Sequence, residues 1–294
     1  MRDANRRVVI LTSTVLIVAL GSFVFYARTY SGGGQLPTEI EGPAALTVHK
    51  LDLSIELEPE GLVDAVWDEL PSVTVSLAPQ VIHIPWTTSL IPSLKVRAFH
   101  NGEKIYFLLE WKDDAESRIH GMDRFPDAAA MTFPVSGEPS GTTLLMGSGT
   151  PVDIWEWKAD LDAEFWGPPV AEEQASSNAR YSYLGKAELI EKAALPTGAC
   201  QSFIARGPGT LTRKEECLVS GLGIWRDGTW RVIMERPLVT GQEHQDVQID
   251  SNWAYAAFAL WDGDEGDRGS RKSISDWVVL SLEGIDMVAQ EAGE

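Results

Sequence analysis

Cysteine is nearly absent, with two in 294 residues. That excludes a disulfide-dense scaffold, a Cys₄ zinc site and an iron–sulfur cluster held by this chain alone. No C-x-x-C-H occurs, which excludes the standard covalent attachment of a c-type haem. Basic side chains are also few. The 24 Lys and Arg stand against 43 Asp and Glu, for a net charge of −19. Phosphate backbones are bound by clustered cations, so nucleic acid is not a partner. Five histidines, His49, His83, His100, His120 and His244, never fall at metal-ligand spacing and read as surface or cap residues. H-E-x-x-H, the G-x-x-x-x-G-K phosphate loop and the G-x-S-x-G nucleophile elbow are all missing. Gly207-Pro208-Gly209 and Gly147-Ser148-Gly149 read as turns rather than a dinucleotide fingerprint. No pair of carboxylates stands out as acid and base, so no catalytic residue is assigned. Asp262-Gly-Asp-Glu-Gly-Asp267 is rich in carboxylates but lacks the EF-hand order, and reads as a solvated acidic loop. No repeat of 20–50 residues is present, so the 11 tryptophans do not come from propeller blades.

What is present begins with a long apolar run. Val8 to Ala27 carries no charge over twenty residues, enough to cross one hydrocarbon core as a helix. Arg2, Arg6 and Arg7 precede it, and the positive-inside tendency holds them in the cytoplasm and sends the rest across. A cleaved signal peptide is the rival reading, but its apolar region is normally shorter and ends at a small-x-small site. Residues 1–34 carry four Arg and one Asp, +3, which leaves −22 on residues 35–294. The organisation expected is a basic cytoplasmic end at 1–7, a transmembrane anchor at 8–27 and a flexible linker at 28–46. A folded domain at 47–283 follows, and then a tail at 284–294. The folded part is expected on the extracytoplasmic, periplasmic side of the cell membrane.

The exported part reads as all-β. Leu94–Phe99 alternates at period two, Asn101-Gly102 follows, and Lys104–Trp111 alternates again. Asn-Gly between two such runs predicts a hairpin, because both turn residues tolerate positive φ. Gly223–Met234 repeats this grammar around Asp227-Gly228. Further strands are expected at Val73–Leu77, Ala129–Phe133, Val152–Trp157, Tyr255–Trp261 and Ile274–Leu282. One helix is expected at Ala187–Ala194, inside a polar stretch at 166–197 that reads as an insertion. Many short strands and few helices give an antiparallel β-sandwich as the fold class, preceded by one N-terminal transmembrane helix. In an oxidising compartment Cys200 and Cys217 could persist as a disulfide closing a loop of about 17 residues, worth roughly 3 kcal/mol. The alternative is two unpaired thiols.

Several segments, in one order, carry a family resemblance. They run from Pro79-Gln-Val-Ile82 and Leu94–Phe99 through Phe107-Leu-Leu-Glu-Trp-Lys-Asp-Asp114 and Asp127-Ala-Ala-Ala-Met-Thr-Phe-Pro134. Met146-Gly147 leads into Pro151-Val-Asp-Ile-Trp-Glu-Trp-Lys-Ala159. Ala205–Thr212, Gly223–Trp230, Arg236-Pro-Leu238, Phe258-Ala-Leu-Trp-Asp-Gly263 and Lys272-Ser-Ile-Ser-Asp-Trp277 complete the series. Over residues 47–283 the chain resembles the haem b (gamma) subunits of type II dimethyl sulfoxide reductase family molybdoenzymes. Ethylbenzene dehydrogenase has such a subunit, as do nitrate, nitrite, chlorate and selenate oxidoreductases.

The resemblance implies a β-sandwich holding one non-covalent haem b, its iron ligated by a Met and a Lys. Lys272 takes the family's Lys position and Met146 its Met position, with Met131 in reserve. Trp155, Trp157 and Trp261 are candidate pocket walls, with packing in the core as the alternative. A lysine ligand must be unprotonated, which burial against the porphyrin favours. The implied role is electron transfer between an iron–sulfur beta subunit and an external carrier such as a soluble cytochrome c. A molybdenum-cofactor alpha subunit would hold the catalytic site. Two other readings are kept open, a carbohydrate-binding β-sandwich module and a haem-less structural paralogue.

Overall fold

The computed structural model describes residues 45–58, 65–82, 84, 86–139, 150–167 and 198–285. The expected transmembrane anchor, the 187–194 helix, nearly all of the insertion and Met146 lie outside them. The chain divides into residues 1–42 and 43–294, and every described residue belongs to the second unit. Among the described residues no helix is long and apolar enough to cross a membrane.

The described residues form thirteen strands and two short helices. In chain order they are β1 (Ala45–Lys50), α1 (Ala65–Glu69), β2 (Val73–Pro79), β3 (Ser93–His100), β4 (Lys104–Lys112), β5 (Ala128–Pro134) and β6 (Val152–Lys158). There follow α2 (Ala159–Trp166), β7 (Cys200–Ala205), β8 (Thr212–Arg213), β9 (Ser220–Trp225), β10 (Thr229–Pro237) and β11 (Trp253–Trp261). β12 (Ser273–Ser275) and β13 (Val278–Leu282) complete the chain. Hydrogen bonding runs β8-β7-β6-β5-β11-β12-β2-β3-β4-β10-β9. The order folds back on itself, so that β8, β7, β6, β5 and β11 form one layer and β3, β4, β10 and β9 the other. Two strand pairs bridge the layers, β12 with β2 and β13 with β1. The expected antiparallel sandwich holds with one exception, since β1 runs parallel to both β13 and β3.

Turn chemistry places the two hairpins where the sequence puts them. Asn101 Oδ1 accepts the Glu103 and Lys104 amides at 2.9 and 2.8 Å, and Gly102 takes a φ of 93°. At the second turn Asp227 and Gly228 both have positive φ, 51° and 70°, which matches the twist of the flanking strands. The expected Ile274–Leu282 strand is two strands, broken where Asp276 is exposed. His100 is fully buried rather than on the surface. Its Nδ1 accepts the Gly102 amide and its Nε2 meets the Glu283 carbonyl at 2.7 Å, and burial lowers its pKa. The 262–267 loop is not solvated throughout, because Asp267 is buried.

Aromatic side chains fill the space between the layers. Trp111 on β4 and Trp230 on β10 stack at 6.1 Å, and Trp157 on β6 meets Trp230 edge-on at 5.0 Å. Phe107 reaches Phe133 and Trp155 at 6.2 Å each. Gly223 on β9 is small because of this packing, since any Cβ there would overlap the indole of Trp157. Gly223→Val is therefore expected to destabilise the protein by about 3 kcal/mol through overpacking, read as a lower urea midpoint at unchanged slope. Cys200 is buried in this core and Cys217 is half-buried, and they stand as two separate thiols. Burial raises the pKa of both.

Candidate cofactor site

β5 and β11 are small or apolar on both faces, so each residue's parity decides what it touches. One parity of β5, Ala129, Met131 and Phe133, lies in the inter-layer core. The other, Ala128, Ala130 and Thr132, faces outward and lines a cavity of about 330 Å³ that opens to the surface. Register carries this outward face across the sheet. Ala130 sits opposite Ala259 on β11 and Glu156 on β6, and Thr132 opposite Ala257 and Ile154. Four small side chains, Ala128, Ala130, Ala257 and Ala259, thus make a shallow apolar floor. Ile154 and Phe203 rise on one side, and Trp261, Ile274 and Trp277 on the other.

Lys272 enters this cavity from the residue before β12. Its carbonyl accepts the Gln80 amide at 2.9 Å, which fixes the backbone. It shares parity with Ile274, so its side chain runs along the floor. Its Nζ stands 4.6 Å from the centre of the Trp261 ring. No hydrogen bond to Nζ is seen among the described residues. Burial lowers its pKa to about 8, against the opposing pull of Glu156. Burial likewise raises the Glu156 pKa, with Lys158 and Lys272 pulling the other way. Lys158 and Arg268 also line the cavity, and the Arg268 guanidinium lies 4.5 Å from the Phe125 ring centre.

The candidates read from the sequence separate here by geometry alone. Lys272 and Trp261 line the cavity. Trp155 and Trp157 do not, because their parity turns them into the core, where both are fully buried. Met131 turns inward for the same reason. It is fully buried between the layers, opposite Trp155 and Phe258 in register, and faces away from Lys272. Met146 lies outside the described residues. The residues present fit a flat apolar group with one amine ligand, since a half-buried amine without a hydrogen-bond partner among the described residues shares the cavity with a floor of small side chains. Sequence reasoning missed the alanine floor and Glu156. The floor's signal was alternation inside Ala128–Pro134 and Trp253–Trp261, hidden because the opposite parity is small or apolar too.

Comparison with known proteins follows the same stretch of chain. The family model for ethylbenzene dehydrogenase matches residues 64–273, which include β2 to β11 and Lys272. The chain belongs to the ethylbenzene dehydrogenase family. Its relatives include the putative respiratory nitrate reductase heme subunit ORF7 of Haloferax mediterranei. That protein is 25% identical over 271 residues, 92% of this chain and 79% of the relative. The dimethylsulfide dehydrogenase subunit gamma of Rhodovulum sulfidophilum is 27% identical, over 64% of this chain and 60% of its own length. The chlorate reductase subunit gamma of Ideonella dechloratans is 24% identical, over 72% and 74%. Among solved structures, a putative carbohydrate-binding protein from Bacteroides uniformis aligns with a TM-score of 0.46 at 11% identity, over 82% of this chain and all of that one. That likeness is too loose to bear on function.

Proposed function

We propose that this member of the ethylbenzene dehydrogenase family is a haem b electron-transfer subunit of a molybdenum oxidoreductase complex, with its single non-covalent haem in the cavity over β5 and β11. The observation that carries the reading is Lys272, a half-buried amine with no hydrogen-bond partner among the described residues, at an apolar cavity. Membership of a family whose relatives are named heme and gamma subunits supports it. A bound haem b would supply one reversible one-electron couple.

The chain's own residues do the rest. Lys272 offers a nitrogen lone pair, which desolvation in the cavity favours over the ammonium form. Met146 would be the second residue to hold the group. Held by Lys272 and Met146, the group would serve as a relay rather than a catalytic centre. The alanine floor would let a flat group lie close to the sheet. Lys158 and Arg268 at the cavity lining would pair with carboxylates at its edge.

In this reading the chain is anchored by residues 8–27 and its domain faces the periplasm. It would exchange electrons with an iron–sulfur beta subunit, next to an alpha subunit holding the molybdenum cofactor. The −22 charge of residues 35–294 would steer a basic soluble cytochrome c to its outer surface. The test is spectroscopic and uses the full chain purified from membranes. A low-spin b-type spectrum is expected, one haem per chain, extractable by acidified ketone. A colourless protein that still assembles with molybdenum and iron–sulfur subunits would overturn the haem and leave the structural role.

A further inference from the structure

At one end of the sandwich three strand termini bring carboxylates together. Asp113 follows β4, Asp127 precedes β5 and Asp262 follows β11. One oxygen from each lies within 4.8 Å of the other two. Asp127 is fully buried, Asp113 is 5% exposed and Asp262 is half-buried. Two of the three are held in place. Asp127 Oδ2 accepts the Ser117 amide at 2.7 Å and the Trp230 indole N–H at 3.0 Å, and its Oδ1 accepts the Gly263 amide at 2.8 Å. Asp262 accepts the Glu265 amide at 3.1 Å and the Ser89 hydroxyl at 3.3 Å.

Asp113 is different. Its Oδ1 accepts the Ala115 amide at 3.1 Å, but its Oδ2 is shut off from solvent and makes no well-formed hydrogen bond among the described residues, with only a weak attraction from the Trp111 indole. The charges acting on it are those of Asp127 and Asp262, both negative. Burial first, and then this repulsion, push the Asp113 carboxyl up to about 7, against a weaker downward pull from the Ala115 amide and the Trp111 indole. Burial pushes Asp127 up to about 6. Three carboxylates in so little space cannot all stay ionised without a counter-charge.

We propose that Asp113, Asp127 and Asp262 bind one hard divalent cation of the calcium class. Only oxygen donors are present, which selects hard cations and disfavours those that need nitrogen or sulfur. Calcium, at about 2.3–2.6 Å from each ligand, bridges oxygens up to roughly 5 Å apart, so the carboxylates need not move. Magnesium spans at most about 4.2 Å and would draw them inward. Water and backbone carbonyls would complete the shell, as is usual for calcium. The ion would be a structural staple. Asp262 opens the loop that ends at Lys272, and Asp127 opens β5, so one ion would tie that loop to both layers. The site stands whether or not the cavity holds haem.

The test uses the full-length protein, stripped with EDTA and titrated with calcium chloride. One calcium per chain is expected by calorimetry. The melting midpoint should rise by about 5 °C at a hundredfold excess over Kd, and EGTA should reverse it. Asp113→Asn should abolish the response while leaving the calcium-free midpoint equal to or above that of the calcium-free wild type, because an amide removes repulsion. A merely structural carboxylate would lower that midpoint instead. If Asp113→Asn does not fold, Asp262→Asn is read in the same way, and the wild-type stoichiometry decides independently. Failure of the stripped wild type to bind calcium, magnesium or manganese, with no metal in the protein as purified, would overturn the site. So would a calcium response unchanged in both variants.

Discussion

Replacing Lys272 with alanine is expected to abolish the low-spin b-type spectrum, with the haem either lost on purification or left in a high-spin form. The amine lies in the cavity with its Nζ 4.6 Å from the centre of the Trp261 ring, under the opposing pull of Glu156. The other side-chain nitrogens among the described residues that line the cavity belong to Gln80, His120, Lys158, Arg268 and the Trp261 and Trp277 indoles. Lys272→Met is the sharper variant, because it keeps the volume and removes the charge. In the haem-free protein it should stabilise the fold at pH 7 by on the order of 2 kcal/mol, the reverse of its effect on haem retention. The sign follows from linkage. The folded pKa is about 8 and the unfolded value near 10.4, so below pH 8 the native state carries the whole penalty of a buried ammonium. As pH rises from about 8 to 10.4 the folded amine loses its proton first, and haem-free wild type should gain stability over that window while Lys272→Met does not. Urea titrations of both proteins at about pH 7 and about pH 9.5 read this directly. An unchanged haem spectrum in Lys272→Ala would remove Lys272 from the ligand set.

Asp153→Asn should be the most destabilising single substitution on β6, at about 3–5 kcal/mol. Asp153 shares the inward parity of Trp155 and Trp157 and is fully buried. Its Oδ1 accepts from Lys214 Nζ at 2.6 Å. Its Oδ2 accepts from Arg236 Nη1 at 2.9 Å and from the Val247 amide and Trp155 indole at 3.1 Å each. Asp246 completes the set by pairing with Lys214 at 2.5 Å, and the Arg236 guanidinium lies 4.6 Å from the Trp155 ring centre. Two buried cations and two carboxylates therefore balance. The asparagine variant leaves one positive charge uncompensated in a low-dielectric site and loses a charge-assisted acceptor. Removing Lys214 as well, as Lys214→Met in the Asp153→Asn background, should recover part of the loss, because the charges balance again. Equilibrium urea unfolding of the three proteins gives the coupling. A loss below about 1 kcal/mol in Asp153→Asn would mean that water reaches the network.

Much of the fold could be read from the chain. Asn101-Gly102 and Asp227-Gly228 fixed both hairpins, because their backbone needs are local. The runs at 73–77, 94–99, 104–111, 129–133, 152–157 and 255–261 all became strands, each slightly longer than expected. The parallel strand β1 and helix α2 were not expected, since neither carries a local signature apart from its partners. Lys272 was reached through a resemblance and not through chemistry, because a lysine before a strand looks like any surface lysine in sequence.

Local pattern therefore determined the all-β class, the turns and most of the strands. Tertiary structure decided which parity of each strand faces out. In Ala128-Ala-Ala-Met-Thr-Phe-Pro134 both parities are small or apolar, and a strand buried on two faces has no alternation to read. Only register against β6 and β11 sends Ala130 to the cavity and Met131 to the core. The same holds for charge. Asp113, Asp127 and Asp262 are separated by up to 149 positions, and Asp153, Lys214, Arg236 and Asp246 by up to 93. Along the chain such carboxylates read as part of an acidic surface, but folding puts them at strand ends and in the core, where burial makes each charge need a partner.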